Sequence, residues 1–260
     1  MSNVFEQAAT VTSWDDDYYH PIAERYYDIA VPTMLKLMGV ERGDMVLDAG
    51  CGPGVHSVRA VKCGCHVTAI DISKMMLSEA ATRVAVAGAS SSVEFRQEDL
   101  TKLTLPDASF KYVFSWGVII HIREAKQALS ELARVVVPGG SLALYVTNND
   151  SWDRKLEDFA RRILRKPLRS EKHSLGSGLW YDMHGEKLWV WQFDATALEK
   201  ELANQGFYLT HRIVGEYSDI QRRVKGPIRR VLLKANNLFY RLRVSPRHAG
   251  ANLLIFRKAG

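Results

Sequence analysis

Residues 46–54 read Val-Leu-Asp-Ala-Gly-Cys-Gly-Pro-Gly: an apolar run, an acid, then glycine at three alternate positions, Gly50, Gly52 and Gly54. An apolar run that opens into such a turn is a buried strand whose end must carry unusual backbone dihedrals or lie against a ligand, and both needs select glycine. The flanking sequence repeats the theme. Strand patterns are predicted at Val46–Asp48, His66–Ile70, Val93–Arg96, Phe110–Ser115 and Ser141–Val146, with helical patterns between them at 55–62, 74–87 and 124–136. Alternation of this kind argues for a doubly wound α/β fold with a mostly parallel sheet and helices on both faces. Ser73 is placed to cap the helix beginning at Lys74.

The flanks are less regular. Residues 14–38 carry Trp14, Tyr18, Tyr19, Tyr26 and Tyr27 and read as one or two helices, broken at Pro21 and Pro32. Trp152–Lys166 reads as a helix ended by Pro167. Leu179–Phe193 reads as a hairpin turning at His184-Gly185, Ala195–Asn204 as a helix, and Phe207–Ile213 and Ala251–Arg257 as two closing strands. The expected organisation is an N-terminal helical cover over 1–38, an α/β core over 39–147, a cap insertion over 148–195, and a closing part over 196–260 with an inserted basic helix at 226–243.

Four pieces stand in the order of a nucleoside-cofactor site. They are the glycine turn, Asp71 at the end of the second strand, Glu98-Asp99-Leu100 after the third, and Ser115-Trp116-Gly117 after the fourth. Together they resemble motif I and its companions in the class I S-adenosylmethionine-dependent methyltransferases, small-molecule type. A nicotinamide fingerprint would need glycine at position 55, where this chain has Val. Arg134-Val-Val-Val-Pro-Gly-Gly140 is similar to the turn before strand five in the same superfamily. The resemblance covers about 40–147 and the closing strands. It implies a seven-stranded sheet of order 3-2-1-4-5-7-6, strand seven antiparallel, with a helical and hairpin acceptor cap. It also implies S-adenosyl-L-methionine as cofactor. Gly50, Gly52 and Gly54 would let backbone approach its methionine part, and Asp48 would orient its amino group. Asp71, beside Ile72, would accept the ribose hydroxyls. Asp99 and Leu100 would meet the adenine, and Ser115 would close the site.

Methyl transfer is an in-line displacement, so alignment and exclusion of water are the main tasks, with a base needed only for a protonated nucleophile. His121, just beyond the fourth strand, is a candidate base; ordering its loop or capping the next helix is the competing role. Tyr26, in Tyr26-Tyr27-Asp28, resembles the tyrosine that reaches over the cofactor in similar enzymes, and a packed aromatic helix is the alternative. Trp116 and the cluster Trp180, Tyr181, His184 and Trp191 are candidates for the acceptor pocket, or for a hairpin packed on the sheet. No Asp/Asn-Pro-Pro-Tyr/Phe motif follows strand four and no Pro-Cys nucleophile is present, which argues against nucleobase methylation. A small-molecule or lipid-like acceptor methylated on oxygen is the expectation. A non-catalytic cofactor-binding module and an RNA methyltransferase are the alternatives.

Charge bears on partners. From residue 220 onward there are 11 of the 35 Lys/Arg and none of the 29 Asp/Glu. Residues 222–243 set Arg222, Arg223, Lys225, Arg229, Arg230, Lys234, Arg241 and Arg243 against an apolar stripe, and Arg154–Arg169 is a second basic segment. A solvated lid helix, an interfacial helix on anionic lipid, or a phosphate-binding surface all fit, nucleic acid ranking last because aromatic interleaving is thin. Cys63-Gly-Cys65 has the wrong spacing for a metal or redox pair, so no metal is expected. Three cysteines and an N-terminus without a leader pattern lead to the expectation of a cytoplasmic protein, membrane-peripheral if the basic helix meets lipid.

Overall fold

The computed structural model describes residues 3–6, 21–165, 170–183, 185–218 and 226–260. Its main sheet contains β1 (Met45–Ala49), β2 (His66–Asp71), β3 (Val93–Gln97), β4 (Phe110–Trp116), β5 (Val136–Thr147), β9 (Phe207–Glu216) and β10 (Ala251–Lys258), in the order β3-β2-β1-β4-β5-β10-β9. β1 to β5 are parallel, and β10 runs antiparallel to both β5 and β9. This is the order the resemblance implied, since β9 and β10 are its strands six and seven. Alternate side chains feed two cores, one on each face. Leu47, Val113, Leu142 and Leu254 enter one, while Val46, Phe114, Ala143 and Ile255 enter the other. A sheet buried on both faces explains why the strands read as near-continuous apolar runs.

Helices α1 (Pro21–Met38), α2 (Val55–Lys62), α3 (Lys74–Val86), α4 (Ala125–Val135) and α6 (Ala195–Ala203) pack around this sheet. Ser73 caps α3 as expected, its hydroxyl accepting the Met76 N–H at 3.1 Å. Pro32 does not break α1. The helix holds its course because Val31, Met34, Leu35 and Met38 are all buried against the sheet, and that burial outweighs one missing hydrogen bond. Residues 14–20, with Tyr18 and Tyr19, lie outside the described residues.

Between β5 and β9 the chain forms α5 (Trp152–Ile163) and a separate antiparallel sheet of β6 (Ser170–His173), β7 (Gly176–Met183) and β8 (Glu186–Phe193). The expected hairpin is therefore one strand short and begins three residues late. β6 reads Ser-Glu-Lys-His, an edge strand with no apolar alternation to reveal it. Met183 pairs with Glu186 across a two-residue turn in which Gly185 has φ +85°, a value suited to glycine in a tight hairpin. α7 (Gly226–Arg241) lies between β9 and β10 in the chain.

Candidate functional site

The strand order reverses between β2-β1 and β4-β5, so a crevice opens at the carboxyl ends of β1 and β4, where open α/β sheets take ligands. The glycine turn lies there. Gly50 and Cys51 both donate their N–H to Ile70 O at 2.8 Å, tying the turn to the end of β2. The Asp71 carboxylate then spans two turns, accepting the Gly52 N–H on Oδ2 and the Ser73 N–H on Oδ1, each at 2.9 Å. Burial raises the Asp71 pKa, and these backbone donors oppose that rise.

The three glycines answer different needs. A Cβ on Gly50 would stand 2.4 Å from Val118 Cγ1, and one on Gly54 would stand 2.9 Å from Ala80 Cβ on α3. Gly54 thus serves the packing of turn on helix. Gly52, at φ +51°, meets no atom within 4 Å of its Cβ position and lines the crevice. Its bare main chain is open to the crevice.

Asp48, one residue before the end of β1, is buried and accepts the Ser57 hydroxyl at 2.6 Å. Burial pushes its pKa from 3.8 up to about 7, against the Ser57 hydrogen bond, with the Asp71 charge adding to the rise. Between those two values the folded protein holds a proton that the unfolded chain releases. The resulting stability is full below the unfolded pKa and is lost as pH rises through about 7. Three pH units correspond to at most about 4 kcal/mol. The Asp48→Asn protein is expected to lose the steeper part of this pH dependence. Urea unfolding at pH 5 and pH 8 checks it, and equal pH slopes in both proteins would refute the assignment.

The crevice is a cavity of about 1130 Å³ that continues from the glycine turn to the cap sheet. It brings together Gly50, Gly52, Asp71, Ile72 and Leu100 with Trp116, His121, Trp180 and Tyr181. Other residues singled out by sequence lie off its wall. Ser115 Oγ donates to Ala49 O at 2.9 Å and pins β4 to β1. Asp48 and Gly54 sit behind the turn. Asp99 Oδ1 accepts the N–H and hydroxyl of Thr101, while its neighbours Glu98 and Leu100 line the cavity. Trp191 is buried, stacks on Phe193 at 5.3 Å, and donates Nε1–H to Ile122 O at 2.7 Å, propping the loop that carries His121. Tyr27, not Tyr26, lines the cavity. The Tyr26 hydroxyl is buried without a hydrogen-bond partner among the described residues, its ring edge-on to Tyr240 at 5.1 Å, and burial raises its pKa. His184 lies outside the described residues.

His121 sits in a 3-10 turn, Ile119–His121, with its Nδ1 3.1 Å from Trp189 O. A carbonyl only accepts, so Nδ1 carries the proton and, in the neutral ring, Nε2 carries the lone pair. Phe5, in the short turn Asn3–Glu6, comes within 5.7 Å of the His121 ring. Phe5 O accepts the Ser73 hydroxyl and Glu6 Oε1 accepts the Lys74 N–H, so this turn lies across the cavity from the end of β2 to His121.

Among the described residues, three that line the cavity carry buried polar atoms without hydrogen-bond partners: His56 Nδ1, Arg154 Nη1 and Trp189 Nε1. His56 is wedged between Tyr27 at 5.0 Å and Trp116 at 4.8 Å. Burial, and secondarily the Arg59 charge, pushes its pKa down to about 3, so the ring is neutral. Sequence reasoning missed His56 and Arg154 because single polar residues on helices carry no signal of which way they face. Unpartnered buried polar atoms are costly, and these three lie in the lining of the same cavity.

A switch-point crevice with a bare glycine turn and an acid at the end of β2 defines an α/β protein of the nucleoside-cofactor-binding class. Comparison with known proteins narrows this. Residues 46–140 match the family described as a methyltransferase domain. The chain is 34% identical over 144 residues to a sterol 24-C-methyltransferase of Gibberella zeae, covering 55% of this chain and 36% of that protein. It is 33% identical over 157 residues to a malonyl-[acyl-carrier protein] O-methyltransferase of Pseudescherichia vulneris, covering 56% of this chain and 59% of that protein. The magnesium protoporphyrin IX methyltransferase of Synechocystis with bound SAH superposes with a TM-score of 0.59 at 18% identity, covering 92% of this chain and 84% of that one. Residues 46–140 are thus similar to a methyltransferase domain, and the fold is that of a solved methyltransferase that holds SAH, the product form of S-adenosylmethionine. The chain matches 36% and 59% of the length of these two curated relatives. The crevice fits the cofactor, with open main chain at Gly52 and the Asp71 carboxylate on the same wall.

Proposed function

We propose that the chain transfers a methyl group from S-adenosylmethionine to a hydroxyl oxygen of a small, lipid-like acceptor. The observation that carries this reading is His121. Its Nδ1 is committed to a backbone carbonyl and its ring lines the same cavity as the glycine turn. Bound S-adenosylmethionine supplies an electrophilic methyl group on a sulfonium. Main chain at Gly50 and Gly52 would hold the methionine part, the Asp71 carboxylate would accept the ribose hydroxyls, and Ile72 and Leu100 would flank the adenine. His121 Nε2 takes the acceptor proton as the oxygen attacks. Trp116, Trp180, Tyr181 and the Trp189 Nε1–H form the acceptor walls, and the cap over 148–195 with Phe5 excludes water.

The relatives named above act on a sterol and on a carrier-bound malonyl group, which supports a lipid-like acceptor but does not choose between carbon and oxygen. The test is transfer of labelled methyl to a panel of hydroxylated aromatic and long-chain compounds, with the labelled bond identified by mass spectrometry. Label on oxygen is expected; label on carbon or nitrogen overturns the reading.

A further inference from the structure

Two helices beside the cavity leave apolar stripes in solvent. On α5 the stripe is Leu156, Phe159 and Ile163, continued by Leu164; on α7 it is Ile228, Val231 and Leu238, continued by Leu242. These eight side chains are each between 52% and 67% exposed. Their spacings of three, four and seven place each set on one helical face. The opposite faces are anchored, so the exposure is built in. On α5, Trp152 Nε1 donates to Tyr217 O at 3.3 Å and Asp153 is buried. On α7, Asn236 exchanges two 2.9 Å hydrogen bonds with the Ser218 main chain, and Leu233 is buried. Tyr217 touches both helices, lying 6.3 Å from Trp152 and 4.5 Å from Phe239. The two therefore flank one edge of the molecule, where Arg154 and Glu157 of α5 and neighbouring Glu216 line the cavity.

Charge says what covers this edge. The outward faces carry exposed Arg162 on α5, where exposed Lys155 pairs with Asp150 at 3.2 Å, and exposed Arg230, Lys234 and Arg241 on α7. α7 contains no acid, and on α5 the acids turn inward or pair, with Asp158 at 3.2 Å from Arg154 and Glu157 at 2.7 Å from Arg161. A second copy would set cation against cation. A nucleic acid would satisfy the cations and leave eight apolar side chains against water. An anionic lipid surface satisfies both, the stripes entering the acyl boundary and the cations meeting headgroups.

We infer that α5 and α7 form a two-helix docking face for anionic membranes, which holds the mouth of the cavity at the bilayer surface. This goes beyond the proposed chemistry and stands whichever atom is methylated. Arg222, Arg223 and Lys225 lie outside the described residues and take no part in the argument.

The test uses the full chain with vesicles of mixed phosphatidylglycerol and phosphatidylcholine, and of phosphatidylcholine alone, in co-sedimentation at low and high salt. Strong binding to the anionic vesicles, weakened by salt, is expected. Phe159→Glu with Ile163→Glu, and separately Val231→Glu with Leu238→Glu, should each reduce it by about tenfold or more. S-adenosylmethionine affinity and the melting temperature should stay unchanged, since all four side chains are exposed. No binding to anionic vesicles overturns the inference. So does binding to single-stranded RNA that matches vesicle binding and ignores the glutamate substitutions. A concentration-dependent dimer abolished by the same substitutions points to a second copy and also overturns it. Product analysis on a water-soluble acceptor tests the oxygen-methylation reading separately, because it needs no vesicle.

Discussion

Asp71→Ala is expected to weaken S-adenosylmethionine binding by about a hundredfold or more. One carboxylate holds the Gly52 and Ser73 N–H groups and faces the cavity beside the glycine turn. Hydrogen bonds to a charged group contribute about 1.5–3 kcal/mol each, and about 1.4 kcal/mol is tenfold in affinity. Losing the hydroxyl pair of the ribose therefore suffices for the predicted drop before any loosening of the turn is counted. Asp71→Asn separates the two contributions. It keeps one oxygen for a backbone donor but sets an NH2 group against the other, so it should fall between wild type and alanine. Calorimetry measures both. If Asp71→Ala binds within about threefold of wild type, the cofactor lies elsewhere and the reading of this crevice fails.

What the chain disclosed in advance was local chemistry with a short reach. The strand-to-glycine turn, the acid at residue 71 and the helix cap at Ser73 are patterns within a few residues, and each is where it was expected. The sheet order came from resemblance, because strand neighbours separated by a whole helix leave no mark in periodicity. Failures cluster where rotation or distant packing decides. Tyr26 and Tyr27 are adjacent on a helix and differ by about a quarter turn; only the packing of α1 on the sheet and on Trp116 shows that Tyr27 faces the cavity. Pro32 should break a helix by local rules, yet four buried apolar neighbours hold it in place. Trp189 and Trp191 share a face of β8, yet Trp191 is spent on the Ile122 carbonyl while Trp189 keeps an unpaired Nε1–H at the cavity. His56 acquires its environment from Tyr27 and Trp116, which lie in two other elements.

The second large effect is expected at His121. If Nε2 takes the acceptor proton, His121→Gln should lower kcat/KM by about a hundred- to ten-thousandfold, the usual span for loss of a general base, with S-adenosylmethionine affinity within a factor of about two. A general base is lost when it is protonated, so wild-type kcat/KM should fall toward acid pH, and the fall should vanish in the Gln protein. A loop-ordering role predicts something else: weaker cofactor binding, a lower melting temperature, and an acid limb that survives substitution. Gly178→Ala gives an orthogonal check. A Cβ there would stand 1.7 Å from Trp189 Cζ2, so the ring must move. The carbonyl that fixes the His121 tautomer belongs to the same residue. This substitution leaves His121 in place yet should slow turnover, while cofactor affinity, set at the glycine turn, is retained. Loss of turnover in His121→Gln but not in Gly178→Ala would show that the base works without the Trp189 carbonyl. Unchanged turnover in His121→Gln would remove the base altogether and leave alignment as the enzyme's whole contribution.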